Sequence, residues 1–159
     1  MGVAAVLRPG VPMGFIDGVP FVAALGAAEA MGARVAWPHD VVGEDGEPLA
    51  HVATRAGYDD EGIYVTCELE GDAAGEAAMD AAAARVDAWA AKVAAGSKAG
   101  PLAAVLEEYF DACLLMGKPV AVVRNDGSVA CKGTLAGMDI WGRVTVKLVD
   151  GRDVEIAPG

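Results

Sequence analysis

The sequence predicts an α+β protein in which a partial mixed sheet packed with helices is followed by a small SH3-like β-barrel. Three observations predict this fold. Short β-branched apolar runs alternate with turn residues in the first part of the chain, two later stretches carry apolar residues at helical spacing, and after residue 118 the apolar residues repeat with period two. The 159 residues suit one domain of ordinary size, or one domain and a small appendage.

The chain is strongly acidic, and its charge is unevenly distributed. The formal net charge is −11; residues 1–115 carry six basic and 18 acidic side chains, whereas residues 116–159 carry six and five. Coulombic repulsion disfavours nucleic acid and anionic membrane surfaces, so we expect no partner of either kind. Three widely spaced cysteines fit neither a disulfide framework nor a zinc pattern. We read no membrane span and no signal peptide, and we expect a cytoplasmic protein.

The first unit is predicted to span residues 1–116. Pro20 is expected to begin a helix that ends at Gly32, because proline suits the first helical turn and glycine the position after the last. The segment Glu44–Pro48, with Asp-Gly at its centre, predicts a hairpin turn. The strands of this unit are predicted at residues 3–7, 34–37, 49–55 and 63–69.

Two helices and a break complete the first unit. An alanine-rich helix is predicted over residues 72–95, with Met79, Val86 and Val93 repeating at seven and Trp89 in the core, and a second helix is predicted to begin at Pro101. The sequence Met116-Gly117-Lys118-Pro119 is typical of a helix end followed by an extended segment. We therefore place the boundary between the units at residues 116 and 117.

The second unit, residues 117–159, is predicted to contain five short strands. They are expected at residues 120–123, 128–132, 134–138, 144–149 and 153–156, with Gly133 as a bulge or bend. Five short strands joined by turns in so few residues favour a small barrel of the SH3 type.

Generic catalytic motifs are absent from the sequence: there is no Walker A loop, no GxGxxG and no GxSxG. The candidate site is Trp37-Pro38-His39-Asp40, where an aromatic ring, a proline and a carboxylate meet at a strand end and could hold a polar group in a pocket. A plain strand-to-turn transition is the alternative. His51 could meet His39 across the hairpin and bind a metal with Asp40, but we favour two separate imidazoles and assign no metal site.

Several segments resemble biotin protein ligases in order and spacing. Val35–Val42 reads VAWPHDVV and resembles the KWPNDV motif of that family. Upstream, Val6–Pro9 resembles a strand that ends in LRP, and Ala23–Met31 resembles the AxAxxEAL helix. Downstream, Leu102–Met116 resembles the helix before the family's C-terminal domain, and Gly117–Val120 resembles the GKxV start of that SH3-like domain. The order of the five pieces carries the resemblance.

The resemblance implies biotin and ATP as ligands, which these enzymes join as biotinyl-adenylate before biotin passes to a lysine of a carrier protein. It places Trp37, Pro38, His39 and Asp40 at the biotin and adenylate pocket, and His51 beside them. His39 stands where the family has Asn. The family's catalytic lysine is replaced by Pro48, and a glycine of the same motif by His51. No segment of this sequence resembles the N-terminal part of those enzymes, which contains the phosphate loop.

These departures predict that the chain alone does not form an adenylate, because adenylation needs fixed positive charge at the pyrophosphate. Glu68 and Glu70 replace family residues and would repel it. We favour a non-catalytic binding or assembly module derived from the ligase scaffold. The alternative is the C-terminal subunit of a split biotin or lipoate-type protein ligase, although such an enzyme should have kept the lysine.

Either reading implies a partner. A sheet without its front strands leaves an exposed edge, and exposed edges pair with other strands. We therefore expect a homodimer, or a second ligase-like chain, at the N-terminal sheet edge. The resemblance adds a biotin carrier protein as a further partner.

Overall fold

The computed structural model describes residues 2–158, which form two antiparallel sheets, three α-helices and a short 3₁₀ helix. The elements are, in chain order, β1 (Gly2–Leu7), the 3₁₀ helix (Met13–Gly18), α1 (Val19–Met31), β2 (Arg34–Ala36), β3 (Asp40–Val42), β4 (Pro48–Asp59), β5 (Gly62–Glu70), α2 (Glu76–Ala94), α3 (Leu106–Ala112), β6 (Pro119–Val123), β7 (Val129–Met138), β8 (Val144–Leu148) and β9 (Asp153–Ile156). The α+β class is therefore confirmed.

The first sheet has the strand order β1-β5-β4-β3-β2, and every neighbouring pair of strands is antiparallel. The prediction of a sheet with both parallel and antiparallel strands is therefore wrong. Consecutive strands β2 to β5 are joined by short turns, which permit only antiparallel pairing. Within residues 2–158 the one parallel contact is an isolated bridge between Val35 and Cys113.

Helices α1 and α2 cover one face of the first sheet. Helix α1 begins at Val19 with Pro20 in its first turn and ends at Gly32, whose φ of 61° is left-handed, as the sequence predicts. Ten of its 13 residues are buried, because it lies between the sheet and α2. A Cβ at Gly26 would lie 2.7 Å from the Ala81 carbonyl oxygen, so glycine permits the close approach of α2.

The segment Met13–Met31 is the one helical stretch of the described chain that is long and apolar enough to cross a membrane. Its 19 residues have a mean hydropathy of 1.3 in the most apolar window, and 61% of that window is buried inside the fold. The sequence was expected to contain no membrane span. Its packing against the sheet and α2 accounts for its apolar composition, as in the core helix of a globular protein.

The later helices are shorter than predicted. Helix α2 begins at Glu76 rather than residue 72, and its Trp89 is buried, with the indole N–H donating to the Pro101 carbonyl at 2.7 Å. Residues 101–105 form turns instead of the start of α3. The Leu102 N–H donates to the Ile140 carbonyl of the second sheet, so this backbone group is used outside the helix.

The second sheet has four strands in the order β6-β7-β8-β9, not the five predicted. Residues 129–138 form a single strand because Gly133 does not interrupt it. A Cβ at Gly133 would lie 2.3 Å from the Lys147 carbonyl oxygen, so the glycine allows β8 to pair closely. In the described residues β6 and β9 remain at the two edges, and the sheet does not close into the predicted barrel.

The second sheet packs on the first unit through the turn between β7 and β8. The Trp37 indole N–H donates to the Gly142 carbonyl at 2.7 Å, and the Leu102 N–H to the Ile140 carbonyl at 2.9 Å. The apolar residues of both sheets form one continuous core. The turn therefore fixes the second sheet beside the candidate motif.

Candidate functional site

The first sheet has one face that no helix covers, which we call the open face. Side chains alternate along a strand, so Val65, Cys67 and Leu69 of β5 point into the core while Glu68 and Glu70 are exposed on the opposite side. Strand pairing aligns the residues of this face across the strands: Glu68 lies between Ala4 and Ala53, Glu70 lies between Gly2 and His51, and His51 is followed by Asp40. The open face therefore brings a histidine and several carboxylates together above small side chains.

The candidate motif leads from β2 into β3 and is fixed at both ends. Besides the Trp37 bond to Gly142, the Tyr109 hydroxyl donates to the Pro38 carbonyl at 2.7 Å. The Trp37–Pro38 peptide is cis. Tyr109 is buried, and desolvation first of all, with the nearby Cys113 and Asp40, holds its pKa well above the ordinary value, so the hydroxyl stays a donor. The second unit and α3 thus hold the motif in place.

His39, Asp40 and His51 lie together at the end of this motif. His51 Nδ1 contacts a carboxylate oxygen of Asp40, and the His39 and His51 ring centroids are 5.3 Å apart. The expectation of two separate imidazoles is therefore wrong, because pairing of β3 with β4 sets Asp40 opposite His51. The described residues contain no group of three or more His, Cys, Asp or Glu side chains placed to hold a metal ion.

His39 differs from His51 in its surroundings. Its ring packs edge-on against Phe21, with the ring centroids 5.8 Å apart, and its Nδ1 is buried without a hydrogen-bond partner. Burial, followed by repulsion from His51, lowers the pKa of His39 below its ordinary value of 6.5. His39 is thus held neutral at physiological pH, whereas His51 is half exposed and faces the open side.

Two cavities on the open face are lined by acidic residues. One, of about 430 Å³, is lined by Asp40, Pro48, His51, Glu70 and Asp72 among others; the second, of about 490 Å³, is lined by Gly2, Val3, Ala4, Glu68 and Glu70. Neither of these two cavities has a lysine or arginine in its lining. A third and smaller cavity on the same face, of about 150 Å³, is lined by Arg55 together with Glu68. Pro48 lies at the wall of the first cavity.

The five predicted site residues divide between two sides of the sheet. Asp40 and His51 line the first open-face cavity, whereas His39 lines a cleft between the first sheet and the turn that joins β7 to β8. Trp37 and Pro38 are in the lining of neither cavity. That cleft also contains Phe21 and Trp141, which the sequence analysis did not assign to a site. Trp141 is 49% exposed at the centre of a turn, and an aromatic residue between Asp139 and Gly142 was the one sequence signal for it.

No family model matches the chain, and no curated protein matches it in sequence. Solved structures do match. The biotin protein ligase from Aquifex aeolicus superposes with a TM-score of 0.69 at 16% identity, covering 99% of this chain and 80% of the ligase. The chain has the fold of biotin protein ligases.

Two further structures agree with this fold. The Aquifex aeolicus ligase in complex with biotin and ATP has a TM-score of 0.62 at 14% identity, covering 98% of this chain and 74% of that one. A biotin protein ligase-like protein of unknown function from Silicibacter has a TM-score of 0.66 at 18% identity, covering 99% and 77%. Because the identities are so low, these likenesses establish the fold and not the activity. The resemblance seen in the sequence is therefore correct at the level of the fold.

Proposed function

We propose that this chain is a non-catalytic binding or assembly module built on the biotin protein ligase fold, with a ligand pocket in which Asp40 and His51 line the cavity and Trp37, Pro38 and His39 lead into it along the chain. One observation carries the proposal. The two open-face cavities lined by Glu70 contain carboxylates and no lysine or arginine, and Pro48, which the resemblance sets at the position of the ligase lysine, lines the first of them. Within these two cavities no side chain supplies the positive charge that adenylation requires.

The electrostatic cost of a bound triphosphate supports this conclusion. Two like charges about 4 Å apart repel by about 4 kcal/mol at the effective dielectric constant of a protein surface. Glu70 lines both cavities, and Glu68 and Asp72 line one each, so a phosphate group there would meet several carboxylates. The residues present therefore do not fit ATP. The ring system of biotin is uncharged, and its single carboxylate lies at the end of a flexible chain that can point out of the cavity, so biotin is a better candidate for the pocket than ATP.

The alternative is the C-terminal subunit of a split biotin or lipoate-type protein ligase, and the free edge of β1 is the observation that favours it. Among residues 2–158, β5 is the one strand that pairs with β1, and the β1 sequence Gly-Val-Ala-Ala-Val-Leu contains no charged residue and no proline. Val6 is 62% exposed on it. Native edge strands are usually protected by such residues, so an unprotected edge is suited to a partner strand.

We place the partner at this edge: a second copy of the chain, or a second ligase-like chain that supplies the missing cations. A biotin carrier protein is the substrate partner that the split enzyme would need. The proposed compartment is the cytoplasm, and the three free cysteines, of which Cys67 and Cys113 are buried, suit its reducing conditions.

A thermal-shift titration with biotin, ATP-magnesium and a non-hydrolysable biotinyl-adenylate analogue tests the ligand pocket. A ligand at a hundred times its dissociation constant adds about 2.7 kcal/mol to stability, which raises Tm by several degrees. We expect no rise with ATP-magnesium. The pocket is supported if biotin raises Tm and if Asp40→Ala or His51→Ala abolishes that rise. The pocket is contradicted if neither biotin nor the analogue raises Tm.

Biotin-dependent pyrophosphate exchange tests the absence of catalysis. We expect none from the pure chain, and measurable exchange would overturn the non-catalytic proposal. Adding a candidate second chain separates the two functions, because exchange that requires both chains supports the split enzyme. Pro48→Lys is the matched variant, since it restores only the missing cation.

Light scattering at high protein concentration tests the β1 edge. We expect a dimer for the isolated chain, and Val6→Lys should return it to a monomer because an edge lysine opposes strand pairing. Val149→Lys is the control, because Val149 is 98% exposed and directly follows β8 of the second sheet. A monomer for the unchanged chain would contradict a homodimer at this edge.

A further inference from the structure

The cleft between the two units has the features of a second ligand site. It has a volume of about 850 Å³, within the range of small-molecule sites, and such sites occur preferentially between domains. Its walls come from α1, β4 and the turn between β7 and β8. It lies at the edge of β4, whereas the cavity with Asp40 and His51 lies on the open face.

One wall of the cleft is an unpaired strand edge. The Val52 N–H donates to the His39 carbonyl at 3.2 Å, which shows that Val52 points its backbone groups away from β5. Backbone direction alternates along a strand, so Thr54 and Ala56 point the same way. Strand β3 begins at Asp40, which pairs with His51. The residues of β4 after His51 therefore have strand partners on β5 alone. The cleft therefore offers N–H and C=O groups of Thr54 and Ala56 to a ligand.

The opposite walls are aromatic and rigid. Trp141 is half exposed to the cleft, and Phe21 lies behind it. The turn that carries Trp141 is fixed by the Trp37 bond to the Gly142 carbonyl. Gly142 has a φ of 87°, and a Cβ there would lie 2.7 Å from the Phe21 ring, so the turn rests directly on that ring. A ligand would therefore meet a preformed aromatic surface, which lowers the entropic cost of binding.

The charges of the cleft exclude a phosphate-bearing ligand. Arg143 is the one arginine or lysine in its lining, and its Nε donates to Asp139 Oδ2 at 2.7 Å. That hydrogen bond raises the pKa of Arg143. The positive charge of Arg143 is therefore already paired with the Asp139 carboxylate. Asp17 adds a carboxylate to the lining. A flat, uncharged ring is the ligand that these walls suit.

We propose that the cleft between the units binds a planar, uncharged heteroaromatic ring that carries a lactam group, stacked on Trp141 and hydrogen-bonded to the free edge of β4. The lactam N–H donates to a backbone carbonyl and the lactam oxygen accepts from a backbone N–H of Thr54 or Ala56, as a partner strand would. This site adjoins the pocket proposed for the open face, because His39 lines the cleft and its ring lies beside that of His51.

Titration of the full chain with hypoxanthine, followed by ¹⁵N–¹H NMR, tests the site. We expect shifts at the Thr54 and Ala56 amides and at the Trp141 indole, and none with 1-methylhypoxanthine, which lacks the lactam N–H. Inosine monophosphate should bind no more tightly than hypoxanthine. Equal binding of the methylated ring, tighter binding of the phosphate, or no shift with about 5 mM hypoxanthine would each overturn the proposal.

Two variants localise the binding. Trp141→Ala removes the stacking surface and should weaken hypoxanthine about tenfold. Ala56→Pro deletes an edge N–H without removing a bond to β5 and should also weaken it, since edge strands accept proline where the N–H faces outward. Tyr58→Pro is the matched control, because Tyr58 has the same edge direction and lies outside the cleft lining. An unchanged affinity in both test variants would contradict the site.

Discussion

The two faces of the first sheet are built from alternate residues of the same strands, yet they have opposite compositions. On β5, Cys67 and Leu69 are 1% exposed under the helices, while Glu68 and Glu70 between and after them are exposed. The covered face contains the apolar contacts that stabilise the fold, and the open face contains the charges that decide what the fold can bind. Along β5, the odd-numbered residues therefore contribute to stability, and the even-numbered residues contribute to ligand chemistry.

The largest expected effect comes from neighbouring substitutions on β5. Leu69→Ala removes a fully buried side chain and should lower the free energy of unfolding by about 2–5 kcal/mol, since deletion leaves a cavity. Glu68→Ala, one residue away on the open face, should leave it unchanged within error. Urea denaturation of both variants measures the contrast. Equal losses would show that the open face is also part of the stabilising core.

A smaller loss is expected where α1 meets α2 above the covered face. Alanine normally favours a helix over glycine by about 1 kcal/mol. At Gly26 a Cβ would lie 2.7 Å from both the Ala81 carbonyl oxygen and the Arg85 Cβ, so Gly26→Ala should destabilise by about 1–3 kcal/mol through overpacking. Gly14→Ala is the control, because no atom lies within 4 Å of a Cβ there. A rise in Tm for Gly26→Ala would contradict the tight helix contact.

The smallest effect concerns His39, which lies between the covered side and the cleft. Burial lowers its pKa in the folded state below the ordinary value of 6.5, so the unfolded chain binds its proton more readily. Stability should therefore be complete above about pH 6.5 and decrease as the pH falls through that value. Urea denaturation between pH 7.5 and pH 5 measures the slope.

His39→Gln is the variant for this measurement, because it keeps a polar side chain and removes the titration. We expect it to flatten the profile in this window, whereas Asp59 and Asp126, whose pKa values are lowered by hydrogen bonds to Arg8 and Ser128, act at pH values below 4. A profile that is equally steep in the variant would show that another group is responsible.

Much of the fold was predictable because its signals are local. Helix α1 begins near Pro20 and ends before Gly32, and the turn at Asp45-Gly46 joins β3 to β4 as expected. These features depend on backbone preferences of single residues. The resemblance to biotin protein ligases was also found from the sequence, and the solved structures confirm it at the level of the fold.

The errors arose where distant segments decide the outcome. Residues 101–105 begin with proline as a helix would, but the Leu102 N–H is bound to the Ile140 carbonyl of the second sheet. Gly133 marks a close approach of β8 rather than the end of a strand. Local sequence contains no information about either neighbour, so the length of α3 and the number of strands in the second sheet could not be read from it.

The sequence by itself determined the α+β class, the acidic character, the position of the turn at Asp45-Gly46 and the boundaries of α1, since each depends on residue identity or local backbone preference. Tertiary structure decided the antiparallel first sheet, the meeting of His51 with Asp40 and His39, and the cleft at Trp141. These features depend on which strands pair and how the second sheet packs. Such contacts join residues from 11 to 105 positions apart, beyond the range of any local pattern.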